Sequence, residues 1–249
     1  MTALSYDYLA GYWSRPEIET NIIIFLNILG ALLLGLLVGY ERSYHGRAAG
    51  MRTYGLVCMA SAALTVVAGY PAHWFGGHAD LVASADPTRV IQGIVTGVGF
   101  LGAGVIMRDG FNISGLTTAA SIWASSAIGI LDGLGFYGAA ILLAMLSAAS
   151  MMWISRLEEW LPSHQTIAIV MTFQKGFVPR EDVLHRIALE RGYQIAGGSI
   201  AISYKEGQPE WRFVAVSLSK GARAPLSELA AELAQFQGIM NFSLAHARN

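Results

Sequence analysis

Only ten charged side chains interrupt residues 20–155 of this chain: Glu41, Asp80, Asp86, Asp109 and Asp132, with Arg42, Arg47, Arg52, Arg89 and Arg108. Most fall into two groups. Glu41 and Arg42 end the first long apolar run, Arg52 begins the second, Arg108 ends the third and Asp109 precedes the fourth. The helix dipole favours a cation at a helix C-terminus, which gives Arg42 and Arg108 a structural reason. Arg52 lacks one, because a cation at a helix N-terminus is mildly unfavourable and expects an acidic partner, Glu41 or Asp109. Three helix ends are therefore expected to converge on an ion-pair cluster at the lipid boundary, either an anchor or a gating or partner-binding site. Thr117 and Thr118, which open a run of small residues, belong with that cluster. The second group, Asp86-Pro87-Thr88-Arg89, immediately precedes the third run. Asp86 reads as an N-cap with proline at the first helical position. Compatible with the cap is a second, less favoured reading as a carboxylate at the helix mouth, offered to a cation or a proton.

Catalytic signatures are scarce. The chain has no Walker loop, GxSxG, HExxH or CxxC pair, so neither an enzyme activity nor a cofactor is expected. His73 and His78, five residues apart near Asp80, read as loop histidines, since a metal site wants a more ordered spacing and further ligands. Cys58 is the single cysteine and cannot form an intrachain disulfide. Inside the apolar runs, Asn27, Thr65, Gln92, Thr96, Thr117, Thr118, Ser121 and Trp123 are expected to bond across helices or onto their own backbone. No acid is expected within the runs except near their ends, which weighs against proton-coupled transport.

The elements that position these residues are five charge-free runs, 20–40, 53–79, 90–107, 111–131 and 133–155. A hydrocarbon core about 30 Å thick needs roughly 20 apolar residues in a helix, and each run reaches the workable range. Arg89 and Arg108 flank the shortest, where their stems can snorkel to the interfaces. Composition agrees, with 54% hydrophobic and only 13% charged residues. A net charge of −1 supplies no basic field for nucleic acid. Arg42, Arg47, Arg52, Arg108 and Arg156 fall on one side of the runs, against Arg15 and Arg89 on the other. That imbalance predicts an external N-terminus and a cytoplasmic C-terminal region. A cleavable signal peptide is not expected, because the basic leading segment is missing and the first run is too long. Residues 4–13, rich in Tyr and Trp, suit the membrane interface.

Small residues predict how the helices meet. Gly93, Gly97, Gly99, Gly102 and Gly104 crowd the third run, and Gly35 and Gly39 repeat the four-residue spacing in the first. Such spacing lets helix backbones approach closely, so the third helix is expected at the centre of the bundle. Most remaining charges lie beyond residue 155, which sets off a water-soluble domain over 165–249 behind a linker at 156–164. There the pattern predicts a strand at 166–173, a helix at 180–191, strands at 193–204 and 211–219 around a turn at 205–209, a helix at 226–236 and a strand at 239–245. The order β-α-β-β-α-β is the ferredoxin-like split unit, and a sheet of this size commonly buries its open face by dimerising. The fold class is thus an α-helical membrane domain over 1–155 plus an α+β domain.

Four segments carry a resemblance. They are Gly35-Leu-Leu-Val-Gly39-Tyr-Glu41-Arg42, Gly50-Met-Arg52-Thr53, the stretch from Asp86 through Gly104, and Gly115-Leu-Thr117-Thr118-Ala-Ala-Ser121-Ile-Trp123. They closely resemble the MgtC/SapB family across the membrane domain, and the tail looks like the ACT-like domain of its MgtC branch. The resemblance implies a bacterial inner-membrane protein associated with magnesium limitation and, in pathogens, with survival inside macrophages. Nothing in the sequence binds ATP recognisably. Two functions compete: a regulatory protein, homodimeric and acting on a membrane complex such as an ion pump or ATPase, and a channel or transporter for a cation such as magnesium. By analogy with ACT-like domains, Gly176 occupies a ligand-binding region.

Overall fold

The computed structural model describes residues 10–47, 49–77, 86–109, 112–160, 166–218, 226–236 and 238–246. The chain divides into two compact units, Met1–Met107 with Gly115–Arg156, and Arg108–Ser114 with Leu157–Asn249.

The first unit is a bundle of five long helices, α1 (Arg15–Tyr44), α2 (Met51–Gly69), α3 (Pro87–Val105), α4 (Leu116–Gly133) and α5 (Tyr137–Trp160). A 3-10 segment, Pro71–Gly77, follows α2. Four of the five, all but α4, are long and apolar enough to cross a bilayer. The difference at α4 has a physical cause. It packs against α1, α2 and α3, so its surroundings are helices rather than lipid. It accordingly buries Thr118, Ser121, Ser125, Ser126, Gly129 and Asp132 beside Ile122, Ile128 and Ile130.

This corrects the expectation of a central third helix. On α3 only Ile94, Val98 and Gly102 are buried, one turn apart along a single stripe. A Cβ built on Gly93, Gly97, Gly99 or Gly104 would meet nothing within 4 Å, and on Gly102 it would make ordinary contact with Ala119 at 3.6 Å. The close approaches lie elsewhere. A Cβ on Gly35 would stand 2.7 Å from the Tyr54 carbonyl oxygen, and one on Gly39 2.6 Å from the Met51 Cα. On α4, a Gly129 Cβ would stand 2.1 Å from the Cys58 carbonyl oxygen and a Gly133 Cβ 2.9 Å from that of Ala62. Backbone thus lies on backbone where α2 crosses α1 and α4.

Two short strands, β1 (Met107–Asp109) and β2 (Asn112–Ser114), pair between α3 and α4. Gly115 returns the chain to α4 with φ +88°, where a Cβ would collide with the Val105 carbonyl at 2.0 Å.

The second unit adds β3 (Thr166–Phe173), α6 (Glu181–Glu190), β4 (Tyr193–Ile195), β5 (Ala201–Lys205), β6 (Gln208–Ser217), α7 (Leu226–Ala234) and β7 (Ile239–His246). Its antiparallel sheet runs β4-β6-β3-β7, with β5 also on β6. The strand expected at 193–204 is broken into β4 and β5. Gly198 has φ +75° at the break, and the Ser199 hydroxyl accepts from the Val214 amide at 3.1 Å and donates to the Ala196 carbonyl at 2.7 Å. The following turn is tighter than expected, because Glu206 and Gly207 both have positive φ and place Lys205 opposite Gln208. Leu184, Ala188, Leu229 and Leu233 of α6 and α7 cover one face of the sheet, over Ile167, Met171, Phe173 and Phe213.

Candidate functional site

At the α1–α2 corner the charges sort themselves differently from one another. Arg42, in the last turn of α1, is 6% exposed and donates through Nη2 to the Thr118 hydroxyl of α4. Glu41 is paired through Oε1 with His45 Nδ1 at 3.0 Å, while its buried Oε2 and the buried Nε of Arg42 have no hydrogen-bond partner among the described residues. Arg52 is exposed in the first turn of α2 and forms no ion pair among the described residues, so Glu41 is not its partner. Thr117 points outward and only Thr118 faces the core. Arg108 is exposed on β1, and the Asp109 side chain lies outside the described residues.

From Arg42 and Thr118 a seam of polar groups continues between α1, α2 and α4. The Ser121 hydroxyl bonds the Tyr54 hydroxyl and donates to the Thr117 carbonyl at 2.7 Å. One turn on, Ser125 donates to the Tyr54 carbonyl at 2.9 Å beside Cys58, which is fully buried. Ser61 and Ser126 share a bond of 2.8 Å, and Thr65 donates to the Ser61 carbonyl at 2.7 Å. Such bonds substitute for the driving force that hydrophobic burial cannot supply between helices in lipid.

Asp132 ends the seam and was missed as an interior acid. It is 4% exposed, packed against α1 with Oδ1 3.4 Å from where a Gly30 Cβ would be. Its Oδ2 has no hydrogen-bond partner among the described residues. Nearby on α1, Asn27 accepts from the Tyr137 hydroxyl at 2.8 Å. The signal lay in the spacing: Thr118, Ser121, Ser125, Gly129 and Asp132 recur at three or four residues, which puts them on one helical face.

At the other end of α3, Asp86 caps the helix. Its Oδ1 accepts from the Thr88 amide at 3.0 Å and the Thr88 hydroxyl at 2.6 Å, and Arg89 approaches Oδ2 at 3.9 Å. The Thr88 hydroxyl, then its backbone N–H, hold this carboxyl below the usual carboxylate range. His73 is not a free loop histidine: Nδ1 lies 2.9 Å from Glu17 Oε1 and Nε2 3.4 Å from the Thr20 hydroxyl, tying the 3-10 segment to α1. His78 and Asp80 lie outside the described residues.

In the second unit Gly176 sits in an exposed turn at φ +84°. An apolar cavity of about 170 Å³ lies between sheet and helices, lined by Met171, Phe177, Leu184, Ile187, Trp211 and Phe236 among others. Glu210 is the charged centre of this unit, bonded by Arg212 Nε at 2.9 Å and by Lys205 Nζ at 3.1 Å. Arg212 first, then Lys205, hold its carboxyl below the usual range.

A helical bundle with four bilayer-length apolar helices and an interior polar seam, followed along the chain by an α+β unit, defines a multi-pass membrane protein. The profile of the MgtC family matches residues 28–160, more than half of the chain, and the chain belongs to that family. Protein MgtC of Salmonella typhimurium (strain LT2) is 44% identical over 121 residues, 47% of each chain. Protein MgtC of Brucella abortus (strain 2308) is 44% identical over 108 residues, 43% of this chain and 41% of its own. The matched region spans less than half the length of these curated relatives. No solved structure matches the chain.

Proposed function

We propose that this chain is a regulatory protein of the bacterial inner membrane, serving adaptation to magnesium limitation by binding another membrane protein such as an ion pump or ATPase. The observation that supports this is the outer face of α3. Gln92, Gly93, Thr96, Gly97, Gly99, Phe100 and Gly104 are exposed there, with Phe100 at 81%. The Thr96 hydroxyl donates to the Gln92 carbonyl at 2.8 Å, but the Gln92 carboxamide is presented to hydrocarbon, where a polar group without a partner is costly, and the glycines beside it leave room for a second backbone. A facing helix satisfies both. The arginine imbalance supports an external N-terminus with the second unit in the cytoplasm.

The test is capture from native membranes with a photo-crosslinking residue at Thr96, in the parent and in Gly97→Leu. Because Gly97 is exposed and nothing lies within 4 Å of a Cβ built there, the substitution is expected to spare the chain's own packing. A stable partner in the parent that disappears in Gly97→Leu supports the reading. Crosslinks only between copies of this chain make α3 a homodimer face, and no crosslink at all overturns the reading. A cation channel or transporter is the competitor, and magnesium flux through the purified protein in sealed liposomes would favour it.

A further inference from the structure

We propose that Asp132 is a proton-binding carboxylate built into the α1–α2–α4 core, one that takes up and releases a proton and does not hold a metal ion. The inference stands apart from partner binding by α3.

Position comes first. Gly30, which faces Asp132, lies midway along α1, roughly 20 Å from either end at 1.5 Å per residue. The carboxylate is therefore placed at the depth of the apolar run, not at its rim, and it is 96% removed from solvent by the protein itself, with 4% exposed. A bare anion there is costly, and interior acids in membrane helices normally face a partner or a pathway. Asp132 has no cationic partner among the described residues. Arg42 bonds Thr118, fourteen residues and about 21 Å earlier on α4. The helix dipole adds to the cost, since Asp132 occupies the carbonyl end of α4, where negative charge is disfavoured.

The described elements packed around it offer little to offset the charge. Between Glu19 and Tyr40, α1 carries no titratable residue, and between Arg89 and Arg108 α3 carries none. From α2 the Cys58 thiol is within electrostatic reach, and α5 begins with the Tyr137 phenol, already committed to Asn27. His73 of the 3-10 segment is held by Glu17. The neighbouring donor is the Ala31 backbone amide. The described residues thus offer no positive group to offset the charge, and a proton does.

A metal ion is the wrong size. Magnesium needs six oxygens in octahedral array and keeps several waters, and calcium needs six to eight. At Asp132 one carboxylate meets closely packed helices, where a Cβ added at Gly30 would lie 3.4 Å from Oδ1 and one added at the adjoining Gly133 would lie 2.9 Å from the Ala62 carbonyl oxygen. A proton requires neither volume nor further ligands. It converts the orphan Oδ2 from an unsatisfied anion into a neutral hydroxyl.

The experiment is infrared spectroscopy of the full-length protein in lipid nanodiscs, titrated in pH. A buried carboxylic acid with few hydrogen bonds absorbs toward the high-frequency end of the carbonyl range, apart from hydrated surface acids. The expected result is a band there that titrates reversibly in the parent, is lost in Asp132→Asn, and is unmoved by sodium or magnesium at fixed pH. Gly30→Ala sets a methyl against Oδ1 at ordinary contact distance, and is expected to keep the band and shift its midpoint. That variant carries the test if Asp132→Asn does not fold. A spectrum indifferent to Asp132→Asn, a band that never titrates, a midpoint unmoved by Gly30→Ala, or a band removed by a metal ion would each overturn the proposal.

Discussion

Arg42 and Arg52 carry the same charge ten residues apart and meet opposite surroundings. Helix-dipole reasoning singles out Arg52 as the cation in want of a partner, yet solvent screens it and it stands exposed. Arg42, whose place at a helix C-terminus the dipole already favours, is the buried one, held by Thr118. A one-dimensional rule sees the helix end but not the neighbouring helix that closes over it. Thr118→Val is expected to cost about 1–3 kcal/mol of stability in detergent, because it leaves a buried guanidinium short of an acceptor. Arg52→Ala is expected to stay within about 0.5 kcal/mol. Thermal unfolding of the two purified variants checks the contrast. Glu210 makes a second residue-level case. Its folded pKa is depressed by Arg212 and Lys205. Its contribution is therefore complete above the ordinary carboxylate pKa and lost as pH falls through the lower, folded value. Hydrogen exchange of the β5–β6 amides should quicken across that acid window in the parent and lose the dependence in Glu210→Gln.

At the scale of elements, glycine spacing announced close helix contacts without saying which helices make them. The reason is physical: a small residue permits approach from any neighbour, so its pattern marks a face and not a partner. On α1 Gly35 and Gly39 do sit against α2, while on α3 all but Gly102 face outward. The central helix was disguised by its serines, which lower the apolarity that normally marks a span and instead supply the polar seam. Two substitutions of identical chemistry separate these roles. Gly129→Ala drives a methyl to 2.1 Å from the Cys58 carbonyl, so α2 and α4 must part, and overpacking of that kind costs about 1–3 kcal/mol or more. Gly97→Ala meets open space and gains helix propensity, so it should be neutral or stabilising by up to about 1 kcal/mol. Equal losses in the two variants, read by thermal unfolding, would contradict the placement of α3. The split of the strand expected at 193–204 follows from Ala196-Gly197-Gly198, a breaker visible in the sequence. The serine that bridges the gap was not, because its partner Val214 is fifteen residues away.

For the whole molecule, charge segregation made the two-part organisation legible: apolar runs cannot be soluble and a charged amphipathic tail cannot be buried in lipid. The same segregation carries the proposed orientation, and it leads to a test the chain is already equipped for. Its one cysteine, Cys58, is fully buried between α1, α2 and α4, and so should be silent to a charged, membrane-impermeant thiol reagent. A cysteine placed at exposed Arg47, in the α1–α2 corner, should then react only after the cells are permeabilised. One placed at exposed Arg89, at the start of α3, should react in intact cells. The two sites lie at opposite ends of the helices, so a bilayer crossed in the proposed sense gives opposite labelling. Reversed labelling would put the second unit outside and turn the α3 face and Asp132 toward the other compartment. Labelling of both sites in intact cells would mean that one of the two ends does not lie where a crossing helix must leave it.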